Sequence, residues 1–543
     1  MERRDLTPAV DLLSQLGTGA TRSRRPVYVD LLPPCNAACP AGENVQAWLA
    51  HAQAGRYREA WSTVVETNPF PAVCGRVCFH PCESRCNRAQ LDDAVGIAAI
   101  ERFLGDAALA DDAAFVAGPP TGKRVLIVGA GPCGLAAAYH LARLGHGVEI
   151  RDGGSLPGGM LHFGIPAYRL PREELEREVA RIAAMGVRIV TGHTVSDVVA
   201  EKSEGAFDAV LVAVGAQIDR RIDIPSRDAG RVLAALPVLR GIEEGNPPRL
   251  GRRVIVYGAG DTAMDVARSA RRLGADEPLI VYHRDRSHMK AHDVEYRAAL
   301  AEGVKMRWLT GIASVEGGEV VVEELRLDAD GVPHPTGKTE RLCADTVVLA
   351  LGERADTSFL KDLPGLAFAA DGSVTVDENF MTGYPGIFAG GDATPGERSV
   401  TIAVGHGRRA ARGIDRWLRD AIAAASPQPP PVTFEMLHLP IYSEIRAKPE
   451  ATRPMAQRLG GFAEVTLGLE EPEARREAQR CLSCGNCYEC DQCYAACPAS
   501  AIVKLGPGQR YRYDYTRCTG CAVCFDACPC HAIEMAPEPM EVA

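Results

Sequence analysis

Several things are scarce in this chain of 543 residues, and each scarcity excludes a class of protein. No apolar run approaches the roughly 20 residues that a membrane-spanning helix needs, so no membrane span is expected. Positive charge is short: 60 Lys and Arg face 70 Asp and Glu, a formal net charge of −10. Phosphate recognition needs a basic surface, so a nucleic-acid partner is not expected. The opening stretch MERRDLTPAVDLLSQL has charge but no long apolar core before a small-residue cleavage site, which reads as no secretory leader. No Ser, His and Asp set suggests nucleophilic catalysis. Residues 123–425 contain no Cys-x-x-Cys, so a redox disulfide is not expected there.

Cysteine, by contrast, is plentiful. Of 19, only Cys133 and Cys343 lie in the middle of the chain, where both read as small packing residues. In a short secreted chain such abundance signals disulfides. Here the chain is long and the thiols are grouped like metal ligands, so a reducing cytoplasm is the consistent compartment. From Cys487 the text is CYECDQCYAACP, or C-x2-C-x2-C-x3-C-P, and from Cys518 it is CTGCAVCFDACP, the same pattern. This is the bacterial two-cluster ferredoxin spacing, in which the fourth cysteine of each run serves the other cluster. The expected sets are Cys487, Cys490, Cys493 with Cys528, and Cys518, Cys521, Cys524 with Cys497. Cys481 and Cys484 precede this run at matching spacing and stay open between alternative ligands, a small zinc site and free thiols.

The middle of the chain states one plan twice. KRVLIVGAGPCGLAAAYHLARLG and RRVIVYGAGDTAMDVARSARRLG each read as a buried strand, a glycine turn and a helix. Alternating strands and helices imply parallel sheets with crossover helices. In the first copy Gly129 permits the turn, Gly131 admits a pyrophosphate and Gly134 lets the helix pack, with Ala130 and Leu135 beside them. The phosphates would meet the helix N-terminus. Asp152, at the end of the next strand, is placed to accept from a ribose hydroxyl. The second copy offers Gly258, Gly260, Asp261 and Thr262. Its second strand ends in His283, Arg284 and Arg286 rather than an acid, which suits the 2′-phosphate of NADPH, with a solvated basic loop as the alternative. PGIFAGGDA places Gly391 and Asp392 after a third short strand, where such an acid reaches the ribityl chain of FAD.

The run GGMLHFGIPAYRLP, carrying Gly159 and Arg169 as candidate cofactor contacts, together with GAGDTAMDVARSARRLGA and PGIFAGGDA, resembles the small subunit of NADPH-dependent glutamate synthase and its relatives. These include the electron-entry half of dihydropyrimidine dehydrogenase and the large subunit of bifurcating NADH-dependent ferredoxin:NADP oxidoreductase. The resemblance covers residues of about 30–425, and the ending RCLSCGNCYEC is similar to members with a C-terminal ferredoxin. His283 stands where relatives carry a second arginine. The resemblance implies a helical head with two [4Fe–4S] clusters. Cys39, Cys78 and Cys82 with Glu101 match one of them. Cys35 and Cys86 match the other, whose two upstream cysteines would fall near Val27 and Asp30 and are missing, while Cys74 matches a cysteine that is not a ligand in that scheme. Six thiols cannot fill two all-cysteine clusters, so one or two head clusters are expected, or one drawn from a different four of the six.

The expected architecture is multidomain. A helical iron–sulfur head spans 1–118. An α/β core holds an FAD half at 119–240 and 353–425, with a nicotinamide half inserted at 241–352. A linker and helix at 426–480 lead to an α+β ferredoxin module at 481–543. Nicotinamide yields electrons as a hydride, clusters take them singly, and a flavin bridges the two, so no general acid or base is expected. The chain reads as an electron-transfer subunit for a partner of glutamate synthase or 2-oxoacid:ferredoxin oxidoreductase type. The alternative is a stand-alone NAD(P)H:ferredoxin oxidoreductase, with or without bifurcation.

Overall fold

A computed structural model describes residues 22–219, 224–225, 232–421, 428–439 and 442–539. The two apolar runs VLIV and VIVY become strands buried on both faces, which is why they show no alternation. Arg124–Val128 lies at the centre of a parallel sheet ordered Ile387–Ala389, Ala209–Val212, Arg124–Val128, Gly147–Arg151, Arg188–Val190. Val254–Tyr257 is the centre of a second, ordered Lys305–Arg307, Leu279–Val281, Val254–Tyr257, Thr346–Leu349, Val232–Ala234. Val232–Ala234 and the helix Ala235–Glu243 pack in this second unit, which therefore starts ahead of the boundary placed at 241. The chain crosses between the sheets twice, and an antiparallel pair, Ile218–Asp219 with Glu353–Arg354, marks the two crossings.

The head is helical. Pro71–Val77 crosses Ile97–Ala110 at glycine contacts: a Cβ on Gly75 would lie 2.4 Å from the Arg102 backbone, and one on Gly105 would lie 2.3 Å from that of Ala72. The head docks on the core through a buried carboxylate. Glu178, on Arg172–Ala183, accepts from Ala72 N at 2.9 Å and Val73 N at 3.1 Å, covering free donors at the start of Pro71–Val77. Tyr139 on the first glycine-turn helix donates to Val65 O at 2.6 Å, adding a second tie.

The two ends of the chain, assigned to separate units from sequence, share a sheet. Arg24–Tyr28 runs antiparallel to Ile533–Pro537 and covers what would otherwise be an open strand edge. Tyr28 packs on Tyr513 with ring centroids 5.0 Å apart. The acidic helix Glu471–Gln479 buries Ala474, Glu477 and Ala478, and Ala478 joins the core of the head. The reason is its last turn. Buried Arg480 reaches Asp92 at 3.0 Å and Ala94 O at 3.0 Å, and Arg88 donates back to Arg480 O at 3.2 Å.

Candidate redox site

A cleft of about 1200 Å³ opens between the two parallel sheets. Both glycine turns face it. Gly129 (φ +110) and Gly258 (φ +138) occupy backbone conformations that favour glycine, and a Cβ on either would strike the carbonyl of Ala213 or Ala350, at 2.4 and 2.0 Å. Gly131 and Gly260 have nothing within 4 Å of where a Cβ would stand. Each turn is thus an open cradle of backbone at the head of a helix, Pro132–Arg143 or Asp261–Arg272, whose free N–H groups favour an anion. A Cβ on Gly159 would come within 3.0 Å of Gly131 Cα, making Gly159 the second wall of the first cradle.

Of the residues singled out from sequence, Gly129, Gly131, Asp152, Gly159, Arg169, Gly258, Gly260, Asp261, Thr262, His283, Arg284, Gly391 and Asp392 line this one cleft. Ala130, Gly134 and Leu135 lie behind it and shape the turn; a Cβ on Gly134 would meet Gly129 O at 2.0 Å. Asp152 is tied to its own turn, accepting from Ala130 N and Gly154 N at 2.6 Å each. Arg286 stays out of the cleft, bonded to Asp293 at 3.3 Å over the Tyr296 ring. Arg169 reaches the cleft, but its guanidinium pairs with Asp265 at 2.7 Å and Glu295 at 3.0 Å, so it joins the two halves of the core. Cys133 is wedged against the Gly390–Gly391 turn and packs there.

The tip of the second strand is cationic. Arg284 lines the cleft with its Nε buried and without a hydrogen-bond partner, a donor awaiting an acceptor. Lys290 lines the cleft as well; sequence reasoning missed it because it lies beyond the strand tip, in the loop at 289–292. Burial, with Arg284 and Lys290, lowers the His283 pKa. Burial raises the Asp392 pKa against the pull of Arg398, a second cleft residue that sequence did not single out.

The head enters the same cleft. Val77 and Phe79 line it, so Cys78 sits between two of its wall residues. Phe79 stacks flat on His292, ring centroids 3.4 Å apart, and His292 bonds Asp261 at 2.9 Å. Around Cys78 gather Cys39, Cys82, Cys74 and Glu101, each near enough to perturb another electrostatically. Glu101 is buried and accepts from Asn68 at 2.8 Å; Cys74 lies to one side against the same Asn68, at 3.6 Å.

In the C-terminal module Cys497, Cys518, Cys521 and Cys524 line one small cavity. Cys487, Cys490, Cys493 and Cys528 form the other group of mutually perturbing thiols. Burial, reinforced by neighbouring thiols, raises Cys487 to about 11 and Cys493 and Cys524 to about 12. Cys528 alone moves the other way, lowered to about 6 by its hydrogen bond with Cys530; two groups of four thiols, each gathered in one place, are a donor set that suits a metal centre. Among the described residues no three Cys, His, Asp or Glu are spaced to hold a single metal ion. All 19 cysteines are free of disulfides. Among the described residues no helix is long and apolar enough to cross a membrane.

Two dinucleotide cradles on one cleft, with thiol groups beside it, define a flavoprotein coupled to iron–sulfur modules. Residues 123–407 match the pyridine nucleotide-disulphide oxidoreductase family, and the chain belongs to it. Residues 21–113 match dihydropyrimidine dehydrogenase domain II, 4Fe-4S cluster, and residues 486–532 match the 4Fe-4S dicluster domain. The chain is 34% identical over 504 residues to NADP(+)-dependent formate dehydrogenase subunit beta of Moorella thermoacetica, covering 83% of this chain and 70% of that one. It is 33% identical to NADPH-Fe(3+) oxidoreductase subunit beta of Geobacter sulfurreducens (83% and 75% covered). It is 35% identical to the glutamate synthase [NADPH] small chain of Escherichia coli (71% and 89% covered), in line with the resemblance read from sequence. The chain is an FAD-dependent NAD(P)H oxidoreductase with [4Fe–4S] modules at both ends.

Proposed function

We propose that the chain is an electron-transfer subunit that exchanges electrons between NAD(P)H and iron–sulfur clusters on behalf of a partner carrying the terminal reaction. The observation that carries this reading is the entry of Val77 and Phe79 into the dinucleotide cleft on either side of Cys78. FAD would be held by the turn Gly129, Ala130, Gly131, Gly134 and Leu135, with Asp152, Gly159, Gly391 and Asp392. NAD(P)H would be held by Gly258, Gly260, Asp261, Thr262, His283 and Arg284. Bound FAD would supply the conversion of a hydride pair into single electrons.

The protein's part is placement. The helix N-termini receive the two pyrophosphates. Arg284 and Lys290 offer charge to a 2′-phosphate, which favours NADPH. Phe79, stacked on His292, forms the wall between cleft and head. Cys39, Cys78 and Cys82 with Glu101 would hold the head cluster nearest the cleft. Cys487, Cys490, Cys493, Cys528 and Cys497, Cys518, Cys521, Cys524 would hold the two clusters of the C-terminal module.

The partner is a catalytic subunit, by analogy with relatives named as beta subunits or a small chain. The compartment is the cytoplasm, where free thiols persist. Anaerobic titration of the purified chain with NADPH tests the core of the reading. Bleaching of flavin absorbance together with reduced-cluster EPR signals is expected; flavin bleaching with no cluster signal would refute it. Co-elution of a catalytic subunit from native cells tests the partner.

A further inference from the structure

We propose that Cys35, Cys86, Cys481 and Cys484 together hold a further [4Fe–4S] cluster, assembled from opposite ends of the chain. Two of these thiols belong to the head and two precede the ferredoxin run, and the fold brings them to one small cavity walled by Pro33 and Pro34. Cys35 also sits in the buried apolar cluster of the head, with Cys86 and Cys481 packed against that cluster. The positions upstream of Cys35 that lack cysteine have other work. Val27 lies in the strand paired to Ile533–Pro537, and Asp30 pairs with Arg510 at 2.5 Å.

Both thiol pairs are held in place by the protein itself. Arg480, next to Cys481, is fixed by Asp92, Ala94 O and Ile445 O, the last at 2.7 Å. Arg88, two residues after Cys86, closes the link by donating to Arg480 O. Asn87 donates to Cys484 Sγ at 3.5 Å and to Val432 O at 3.1 Å. Ser483 N points at Cys481 Sγ, 3.4 Å away. Donors aimed at sulfur are the means by which proteins tune cluster potentials. A disulfide would use two of the four thiols, and one zinc ion would need a tighter group than the described residues contain.

The position has a use. Cys35 shares a buried cluster with Cys82 of the cleft-side group, and Cys484 stands three residues before Cys487 of the ferredoxin group. Tyr442 spans the second junction, bonding Leu482 O at 3.1 Å and Tyr488 at 3.4 Å. This site therefore links head to module in one series. The inference rests on the reading of the other thiol groups as cluster ligands.

The test uses the full chain, purified anaerobically, with iron, acid-labile sulfide, flavin and EPR spin count measured. C481S/C484S should lose about four of roughly sixteen irons and one spin system. C35S/C86S should lose the same share, and the four-fold variant no more than either pair. Wild-type iron in C481S/C484S, or a zinc ion lost in place of iron, overturns the proposal while leaving the proposed function standing. A wild-type chain without iron overturns both. Should the pair variants fold poorly, judged by flavin content, N87A decides: it should lower the midpoint potential of one cluster and leave the others. A potential set unchanged in N87A, or shifted throughout, counts against the site.

Discussion

The two glycine turns of the core have the same backbone and different neighbours. In each, the first glycine is pressed against the carbonyl of the next strand over, and the second opens onto the cleft. They part at two places. Gly134 has no room for a methyl, whereas Ala263 carries one, fully buried. The first strand tip ends in Asp152, tied back to its turn, while the second gathers His283, Arg284 and Lys290 around the cleft. On the proposed reading, the cradle would serve any pyrophosphate and the strand tip would decide which nucleotide enters.

This contrast can be broken by experiment. Gly131→Arg should have the largest effect: the arginine fills the cradle without touching the fold, so flavin is lost while far-UV dichroism is kept. Gly260→Arg should do the reverse, keeping flavin and abolishing its reduction by NADPH. Equal loss of flavin in both would mean the two turns are not divided as assigned. Next, Arg284→Ala with Lys290→Ala should raise KM for NADPH about 10- to 100-fold, as loss of charged hydrogen bonds does, and leave NADH nearly unchanged. A parallel rise for NADH would remove these side chains from phosphate recognition.

Gly134→Ala should cost about 1–3 kcal/mol in denaturant melts because its methyl meets backbone. Ala263→Gly should cost about 1 kcal/mol, the helix-propensity difference. The smallest effect concerns pH. A lowered His283 pKa leaves the ring neutral at pH 7, so its charge appears only as pH falls below its ordinary value of about 6.5. NADPH affinity should rise as pH falls through that range. His283→Arg should tighten binding at pH 8 by roughly 3-fold, about 0.7 kcal/mol, and flatten the profile. A steep profile in that variant would place the titrating group elsewhere.

What could be read from sequence was what is local. Gly129, Gly131 and Gly134 lie within one turn and one helix, so their spacing alone encodes the cradle. The ferredoxin cysteines are equally close in sequence, and their crossed grouping follows from the motif. Arg169 read as a cofactor contact because it follows the GGMLHFGIP run. Its engagement by Asp265 and Glu295 depends on the packing of two domains, which no local pattern records. Lys290 was invisible because it lies beyond the strand tip, in a loop that folds back onto the second glycine turn, where its N–H donates to Ala259 O. The open question of Cys481 and Cys484 turned on residues some 400 positions away, joined only once Arg480 finds Asp92.

The strand pairing of Arg24–Tyr28 with Ile533–Pro537 sets an order of manufacture. A growing polypeptide delivers one of these strands long before its companion leaves the ribosome. Arg24–Tyr28 must wait, unzipped, until the stretch some 500 residues further on has been made. Shortened products ending before residue 533 should therefore emerge with Arg24–Tyr28 unpaired and open to proteolysis, however sound their middle.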